Sequence, residues 1–509
     1  MTNHPYPLAH FLLLALLPGL FSMPVQAQDE TAAPVATAPA VDGGAAAGTW
    51  ARLSEQDRWF GMISDLHFDP FYDPSLVARL AGAEPSRWEE IFAASSITTP
   101  SASGSDTNFP LFKSALESLA KDAARLDYVI FGGDFFSHGF RQGYDAYAAD
   151  KSPAAYERFM TKTLEYVAGA LKKHLPHTPI IAALGNSDAF CGDYMIAPAG
   201  AFLYNTNAVL AALSGDARGF GSYPELGAYV LPHPKTPDHY FVVLDNLFLS
   251  VNYDNKCGLR DTDPAAALGL WLEATLYRMK RLNAQVTVIM HVPLGINAFA
   301  SIQACRTRGS PQSNLTAAGE RSILSILRRY PERITAIFSG HTHMDEFRVL
   351  ADEQGKPFAF ERVVPSISPI YGNNPGYQVY RYDRSTGAPV DYVTMTYKEA
   401  TGTGGKSQWT KEYGFEEAYG VGPLTPSSLN LLSAGIISDP TLRAKFIAYY
   451  GGEASPGPIP AGSWQSPACA LTNLDAQSFS TCCLGVSRRL PGAVSGPPAA
   501  PLTDVSPGG

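Results

Sequence analysis

Short runs that are apolar on both faces alternate along the chain with longer stretches in which apolar residues recur every three or four positions. Trp59 to Ile63, Tyr128 to Phe131, Pro179 to Leu184, Val286 to Met290 and Ile334 to Phe338 are β-branched or aromatic. Runs of this kind predict strands covered by helices on each side. Between them, Phe109 to Arg125, Pro153 to Leu175, Pro264 to Leu282 and Thr316 to Tyr330 carry the helical spacing. Asp263 ahead of Pro264 reads as an N-cap followed by proline in the first helical position. The pattern predicts a layered α/β fold.

Other runs predict antiparallel pairs. Tyr240 to Leu244 and Leu247 to Tyr253 would meet at an Asp245-Asn246 turn, and Gln378 to Tyr382 would pair with Asp391 to Tyr397 across a Ser-Thr-Gly turn. From about Gln408 paired strands are no longer evident. Trp409 to Tyr419 and Asp439 to Tyr450 read as helices of a small C-terminal subdomain.

The two ends differ from this body. Phe11 to Phe21 is too short to span a bilayer, and Val25-Gln26-Ala27 is a small-x-small cleavage site, so 1–27 reads as a signal peptide and the protein as secreted or periplasmic. Residues 28–50, rich in Ala, Pro, Thr, Val and Gly, read as a linker, and 486–509 as a disordered tail. The folded part divides into a main domain, 51–400, and the helical subdomain, 401–485. With 509 residues and 45% hydrophobic content the chain can bury a large core. A net charge of −9 without any Lys/Arg cluster excludes a nucleic-acid polymer as main partner, but not a small nucleotide.

Chemistry sits at the strand ends. Asp65 and His67 follow the first predicted strand, Asp134 (after Gly132-Gly133) the second, Asn186 (after Gly185) the third, His291 the fourth, and His341 and His343 (in Gly340-His341-Thr342-His343) the fifth. Each element alone is a weak signal; the ordered set is a strong one. In the Asp65, His67 pair, at the end of a strand, the side chains project the same way, so one ion can take both. Carboxylate, amide carbonyl and imidazole together suit a pair of divalent transition ions, a device for attacking phosphate esters.

The set resembles the calcineurin-like metallophosphoesterase superfamily. By that resemblance the fold is a β-sandwich flanked by helices; Asp65, His67 and His343 hold one ion, Asn186, His291 and His341 the other, and Asp134 bridges them. The purple acid phosphatase branch places a tyrosine three residues after the bridging Asp, where this chain has Ser137. Two zinc ions are therefore the expected cofactors. Three further stretches, Gly340 to Phe347 (GHTHMDEF), Pro365 to Tyr380 (PSISPIYGNNPGYQVY) and Cys469 to Cys482 (CALTNLDAQSFSTC), resemble the acid sphingomyelinase-like phosphodiesterases. The first cysteine is Cys191, so the saposin domain that acid sphingomyelinase carries ahead of its catalytic domain is not expected.

That resemblance implies a phosphodiesterase for small soluble substrates, nucleotide-like or of phosphocholine type, with direct attack by a hydroxide between the ions and His138 as general acid. Where many relatives place a second histidine after the Asn ligand, this chain has Ser187. Tyr371 and Asn373 fall in the substrate-facing loop. Six cysteines in an exported chain permit three disulfides, with connectivity not set by spacing. The resemblance pairs Cys469 with Cys482; Cys191 and Cys257 are a second candidate pair, and Cys305 and Cys483 have no assigned partner. The alternatives are a sphingomyelin phosphodiesterase acting on membrane lipid and a metal-binding protein without activity.

Overall fold

The computed structural model describes residues 57–258, 262–316, 322–399 and 407–489, all within one unit, Ser54–Gly509. The expected signal peptide, the linker and the tail from 490 onward lie outside the described residues. Among the described residues, twelve strands run in chain order: β1 (Asp57–Ile63), β2 (Leu126–Phe131), β3 (Ile180–Ala182), β4 (Tyr229–Pro232), β5 (His239–Val243), β6 (Gln285–Ile289), β7 (Ile334–Ser339), β8 (Glu346–Ala351), β9 (Pro357–Val363), β10 (Gly376–Asp383), β11 (Pro389–Lys398) and β12 (Gln408–Gly414). They form two six-stranded sheets, in the orders β12-β11-β10-β1-β2-β3 and β4-β5-β6-β7-β9-β8. Within the first, β1, β2 and β3 are parallel; within the second, β5, β6, β7 and β9 are. The antiparallel strands lie outside these cores.

The sheets meet through aromatic rings. Phe60 of β1, 1% exposed, stacks between Tyr128 of β2 at 4.7 Å and Tyr380 of β10 at 4.8 Å, and meets Phe338 of β7 edge-on at 5.5 Å. Each such pair contributes about 0.5–1.5 kcal/mol beyond burial, so this seam holds the layers in one register. Three of the expected helices form as α1 (Phe109–Ala120), α2 (Pro153–His174) and α3 (Pro264–Arg281), while of the fourth, Thr316 to Tyr330, the helical part is Ile323–Arg328 and residues 317–321 lie outside the described residues. Asp263 caps α3 through the amide of Ala266, with Pro264 in the first turn.

Two expectations are corrected. Leu247 to Tyr253 is not a strand: Asn246–Leu249 forms a 3-10 turn, and β5 pairs with β4 and β6 instead. The cause is tertiary, because the Asn246 amide donates to the Val292 carbonyl at 2.6 Å and accepts the His291 and Val292 amides. That fastening holds the apolar run beneath the fourth strand end. Nor is Trp409 to Tyr419 a helix. Its first part is β12, antiparallel to β11, and only Phe415–Tyr419 makes a helical turn. Trp409, Thr410 and Tyr413 are strand formers, and Trp409 is held by rings of Tyr377 and Tyr397 and by its indole N–H on Ser114 Oγ.

The C-terminal region is thus built into both sheets. β12 edges the first, while α4 (Pro426–Ser438) lies on β8 and β9 of the second. α5 (Pro440–Tyr450), capped by Asp439, forms as expected, and a final helix, α6 (Ala476–Arg489), runs past the expected boundary at 485. The six cysteines form Cys191–Cys257, Cys305–Cys483 and Cys469–Cys482. The last two tie the C-terminal helices together and to the segment around Cys305.

Two buried imidazoles stand where β4 ends and β5 begins. His233 Nδ1 accepts the amides of Lys235 and Thr236, while His239 bridges the Thr386 carbonyl and the Thr287 hydroxyl. Burial lowers His233 to about 3, helped by the neighbouring His239, and lowers His239 to about 4 against the pull of the Thr386 carbonyl. An unfolded imidazole takes up its proton below about 6.5, whereas these two resist until far lower pH, so the native state loses stability as pH falls below 6.5. By pH 4.5 each costs about 2–3 kcal/mol. Urea midpoints measured from pH 7 to 4.5 should fall less steeply in His233→Phe and His239→Gln than in the parent; equal slopes would contradict this account.

Candidate active site

All seven residues marked out by type and position stand at the carboxyl edge of parallel strands. Asp65 and His67 follow β1, Asp134 follows β2, Asn186 lies beyond β3, His291 follows β6, and His341 and His343 follow β7, so both sheets contribute. Open α/β sheets bind ligands at this edge because strand ends and their loops converge there.

The chain does not leave these strands in extended form. Asp65, His67, Asp134, His341 and His343 have φ of 50°, 44°, 60°, 75° and 64°, the left-handed region that non-glycine residues avoid. Such strain persists only where surroundings over-determine it. Here the strand ends are stitched together: the Asp65 amide donates to the Gly133 carbonyl at 3.0 Å, His67 to Asp134 at 3.0 Å, and Gly340 to His291 at 3.0 Å. Asp188, given no role by the sequence, accepts the amides of Asp134, Phe135 and Gly185 at 2.7–2.9 Å and ties the ends of β2 and β3 together. Glycine is required by space as well. A Cβ at Gly133 would stand 2.8 Å from His291 Nδ1, and one at Gly340 would run into the Asp65 carboxylate.

Side chains then converge in two groups. Asp134 Oδ2 lies 3.3 Å from His67 Nε2 and 3.1 Å from His291 Nε2, while its Oδ1 accepts the Ser187 amide at 2.7 Å. On one side, His67 Nε2 faces His343 Nε2 at 3.1 Å, with Asp65 Oδ1 3.6 Å from the latter. On the other, Asn186 Oδ1 lies 3.0 Å from His291 Nε2 and 2.9 Å from His341 Nδ1.

The outward edges of most of these groups are already bonded. His67 Nδ1 meets the Phe136 carbonyl at 2.9 Å, His291 Nδ1 the Gly132 carbonyl at 2.8 Å, His341 Nε2 the Tyr194 hydroxyl at 3.2 Å, and Asn186 Nδ2 donates to Asp193 at 2.7 Å. The nitrogens His67 Nε2, His291 Nε2 and His341 Nδ1 and the oxygen Asn186 Oδ1 are left facing inward. This arrangement fits divalent cations, since ligating imidazoles ordinarily bond a carbonyl or carboxylate through the other nitrogen.

His138 stands at the mouth, 28% exposed, its ring stacked on that of His67 with centroids 4.0 Å apart. One of its ring nitrogens lies within 4.8 Å of those of both His67 and His343. Its Nδ1 meets Asp106 Oδ1 at 3.0 Å, its amide donates to Asp106 Oδ2 at 2.7 Å, and its Nε2 meets the Tyr371 hydroxyl at 3.2 Å. Burial pushes the Asp106 carboxyl up, but the His138 hydrogen bond and nearby imidazoles hold it below the usual range. Sequence reading missed Asp106, because Ser101 to Asn108 looks like an ordinary polar loop. Asn373 differs from its expected place in the pocket wall. It is 2% exposed and its amide donates to Ser366 and Ser368, so it shapes the loop that presents Tyr371.

Over residues 59–345 the chain matches the family model described as calcineurin-like phosphoesterase. The chain belongs to this family. Residues 358–488 match the acid sphingomyelin phosphodiesterase C-terminal region. Among curated relatives, "Acid sphingomyelinase-like phosphodiesterase 3b" of Homo sapiens is 25% identical, spanning 85% of this chain and 91% of its own length. "Cyclic GMP-AMP phosphodiesterase SMPDL3A" of Rattus norvegicus is 27% identical over 83% and 91%. "Sphingomyelin phosphodiesterase A" of Dictyostelium discoideum is 24% identical over 72% and 58%. With this membership the chain is a metal-dependent phosphoric diester hydrolase, and its His/Asp cluster is of the kind that holds divalent ions.

Electrostatics in the metal-free chain follow from the same geometry. Burial alone would lower His67 and His291, but the Asp134 carboxylate outweighs it and raises them to about 10 and about 9. Burial lowers His341 to about 3, with His291 adding to the effect. At pH 7.5 two of the four imidazoles therefore carry protons that an incoming cation must displace, since a ligating imidazole is neutral. Metal loading at pH 7.5 should release about two protons per chain, and apparent affinity should rise with pH up to 9–10. Calorimetric titration in buffers of differing ionisation enthalpy reads this number directly; release near zero would contradict it.

Proposed function

We propose that this protein is an exported binuclear phosphodiesterase acting on phosphodiester or phosphoanhydride bonds of small soluble substrates, nucleotide-like or of phosphocholine type. The observation that carries the two-ion reading is the Asp134 carboxylate, whose Oδ2 lies between His67 and His291 at the join of two donor groups. Asp65, His67 and His343 are assigned to one ion and Asn186, His291 and His341 to the other, with Asp134 between them. Zinc suits this imidazole-rich set. The catalytic domain is assigned to 51–400 and the C-terminal region to 401–485. Export is favoured by the use of all six cysteines in disulfides, which persist in oxidising compartments. Among the described residues no helix is long and apolar enough to cross a membrane.

When bound, a pair of divalent ions polarises the phosphoryl oxygens and activates water for in-line attack. The protein's own part is the proton. Asp106 holds His138 through Nδ1, leaving Nε2 at the mouth to give a proton to the departing alkoxide. Tyr371, 41% exposed and hydrogen-bonded to that Nε2, stands where the leaving group would enter.

The preference for soluble substrates rests on relatives named for cyclic GMP-AMP; the Dictyostelium sphingomyelin phosphodiesterase supports the lipid reading. A zinc-supplemented panel of bis-p-nitrophenyl phosphate, p-nitrophenyl phosphate, p-nitrophenylphosphorylcholine, ATP and sphingomyelin vesicles separates them. Turnover of the soluble diesters or ATP above vesicles is expected, activity confined to vesicles would overturn the substrate assignment, and a metal-loaded but inert protein would overturn the enzyme.

His138→Ala should retain both ions yet lose about 10²–10⁴ in kcat on alkyl diesters. It should lose far less on p-nitrophenyl esters, whose leaving group departs without a proton. Equal losses on both substrates would reject the general-acid role.

A further inference from the structure

The loop after Asn186 is strapped down. Cys191 and Cys257, both exposed, close a disulfide across it. The Tyr194 amide donates to the Asn186 carbonyl at 3.0 Å, the Asp254 amide to the Tyr194 carbonyl at 3.1 Å, and the Tyr253 hydroxyl to the Ile196 carbonyl at 3.0 Å. Tyr194 itself is left-handed, with φ of 56°, a conformation kept only under such restraint. This loop presents two side chains to the site, Asp193 to Asn186 and Tyr194 to His341.

Each sets which atom faces inward. The two ends of an Asn amide have nearly the same shape, but a carboxylate only accepts, so Asp193 holds Nδ2 outward and Oδ1 between His291 and His341. Among the candidate imidazole ligands, His67, His291 and His343 point Nε2 inward, whereas His341 presents Nδ1 to Asn186. For Nδ1 to offer a lone pair, Nε2 must carry the hydrogen and donate it, and the Tyr194 hydroxyl is the group in reach at 3.2 Å. Asp65 and His67 of the other donor group are held without Asp193 or Tyr194: backbone Phe136 orients His67, and the Ser64 hydroxyl and His341 amide hold Asp65.

We propose that the strap closed by Cys191–Cys257 makes Asp193 and Tyr194 positioning residues for one ion alone, the one assigned to Asn186, His291 and His341. The inference rests on the two-ion reading above and adds that the two ion sites depend on different parts of the chain. Loss of the strap would leave one site intact and loosen the other.

Zinc titration of the stripped protein against a chromophoric chelator, with zinc per chain and Tm measured in parallel, tests this. The parent should bind two equivalents. Asp193→Ala and the double variant Cys191→Ser/Cys257→Ser should keep one at parental affinity and bind the other about 10–100-fold more weakly. Tyr194→Phe should shift the same equivalent in the same direction, and Asp193→Asn, whose Oδ1 still accepts, should restore most of the loss. Two unchanged equivalents in the Asp193→Ala and strap variants would overturn the inference, as would equal weakening of both with a falling Tm, the mark of a merely structural loop. Fewer than two equivalents in the parent would instead defeat the two-ion reading and take this inference with it.

Discussion

Lone pairs aimed at one another inside a protein repel unless a cation or proton lies among them. Everything around the strand ends serves to hold such lone pairs in place. Backbone carbonyls occupy the outer nitrogens of His67 and His291, Asp193 occupies the outer end of Asn186, and left-handed residues turn the chain inward at five of the seven positions. In the metal-free chain His67 and His291 take up protons to offset Asp134. Those protons stand where cations would, so the pull on the imidazoles and the fitness for metal are two expressions of one electrostatic need.

The layered architecture makes that convergence possible. Asp134 and His67 leave the first sheet, His291 and the His341-Thr342-His343 segment the second, and the Phe60, Tyr128, Tyr380 and Phe338 rings fix how the sheets face each other. The C-terminal region reinforces the same join. Asp345, two residues beyond His343, meets buried Arg362, Gln378, Thr394 and Tyr413, drawing on β9, β10, β11 and β12. The segment after β7 that carries the last histidines is thereby anchored in part by Tyr413, from the region that the sequence suggested was a helical appendage.

Much of this was legible in advance, and the exceptions share a cause. Five buried strands and the long helices show in periodicity because burial on both faces, or on one stripe, constrains residue type directly. The misread segments, Leu247 to Tyr253 and Trp409 to Tyr419, have local patterns compatible with more than one element. Asn246 on the His291 segment decided one, and pairing with β11 decided the other. Asn314-Leu315-Thr316 has the form of a glycosylation sequon, yet Asn314 is 3% exposed, with its backbone N–H donating to the Gly295 carbonyl.

What the sequence determined by itself is the roster of inward-facing donors, their order and the glycines beside them, because ligand chemistry demands particular side chains and close strand approach excludes a Cβ. Only the tertiary structure decided which residues stand behind that roster. Asp106, Asp188, Asp193 and Tyr194 carry no local signal, since a hydrogen bond to a side chain or backbone group far away leaves no periodic trace. Their roles come from loops that the two sheets bring to one edge.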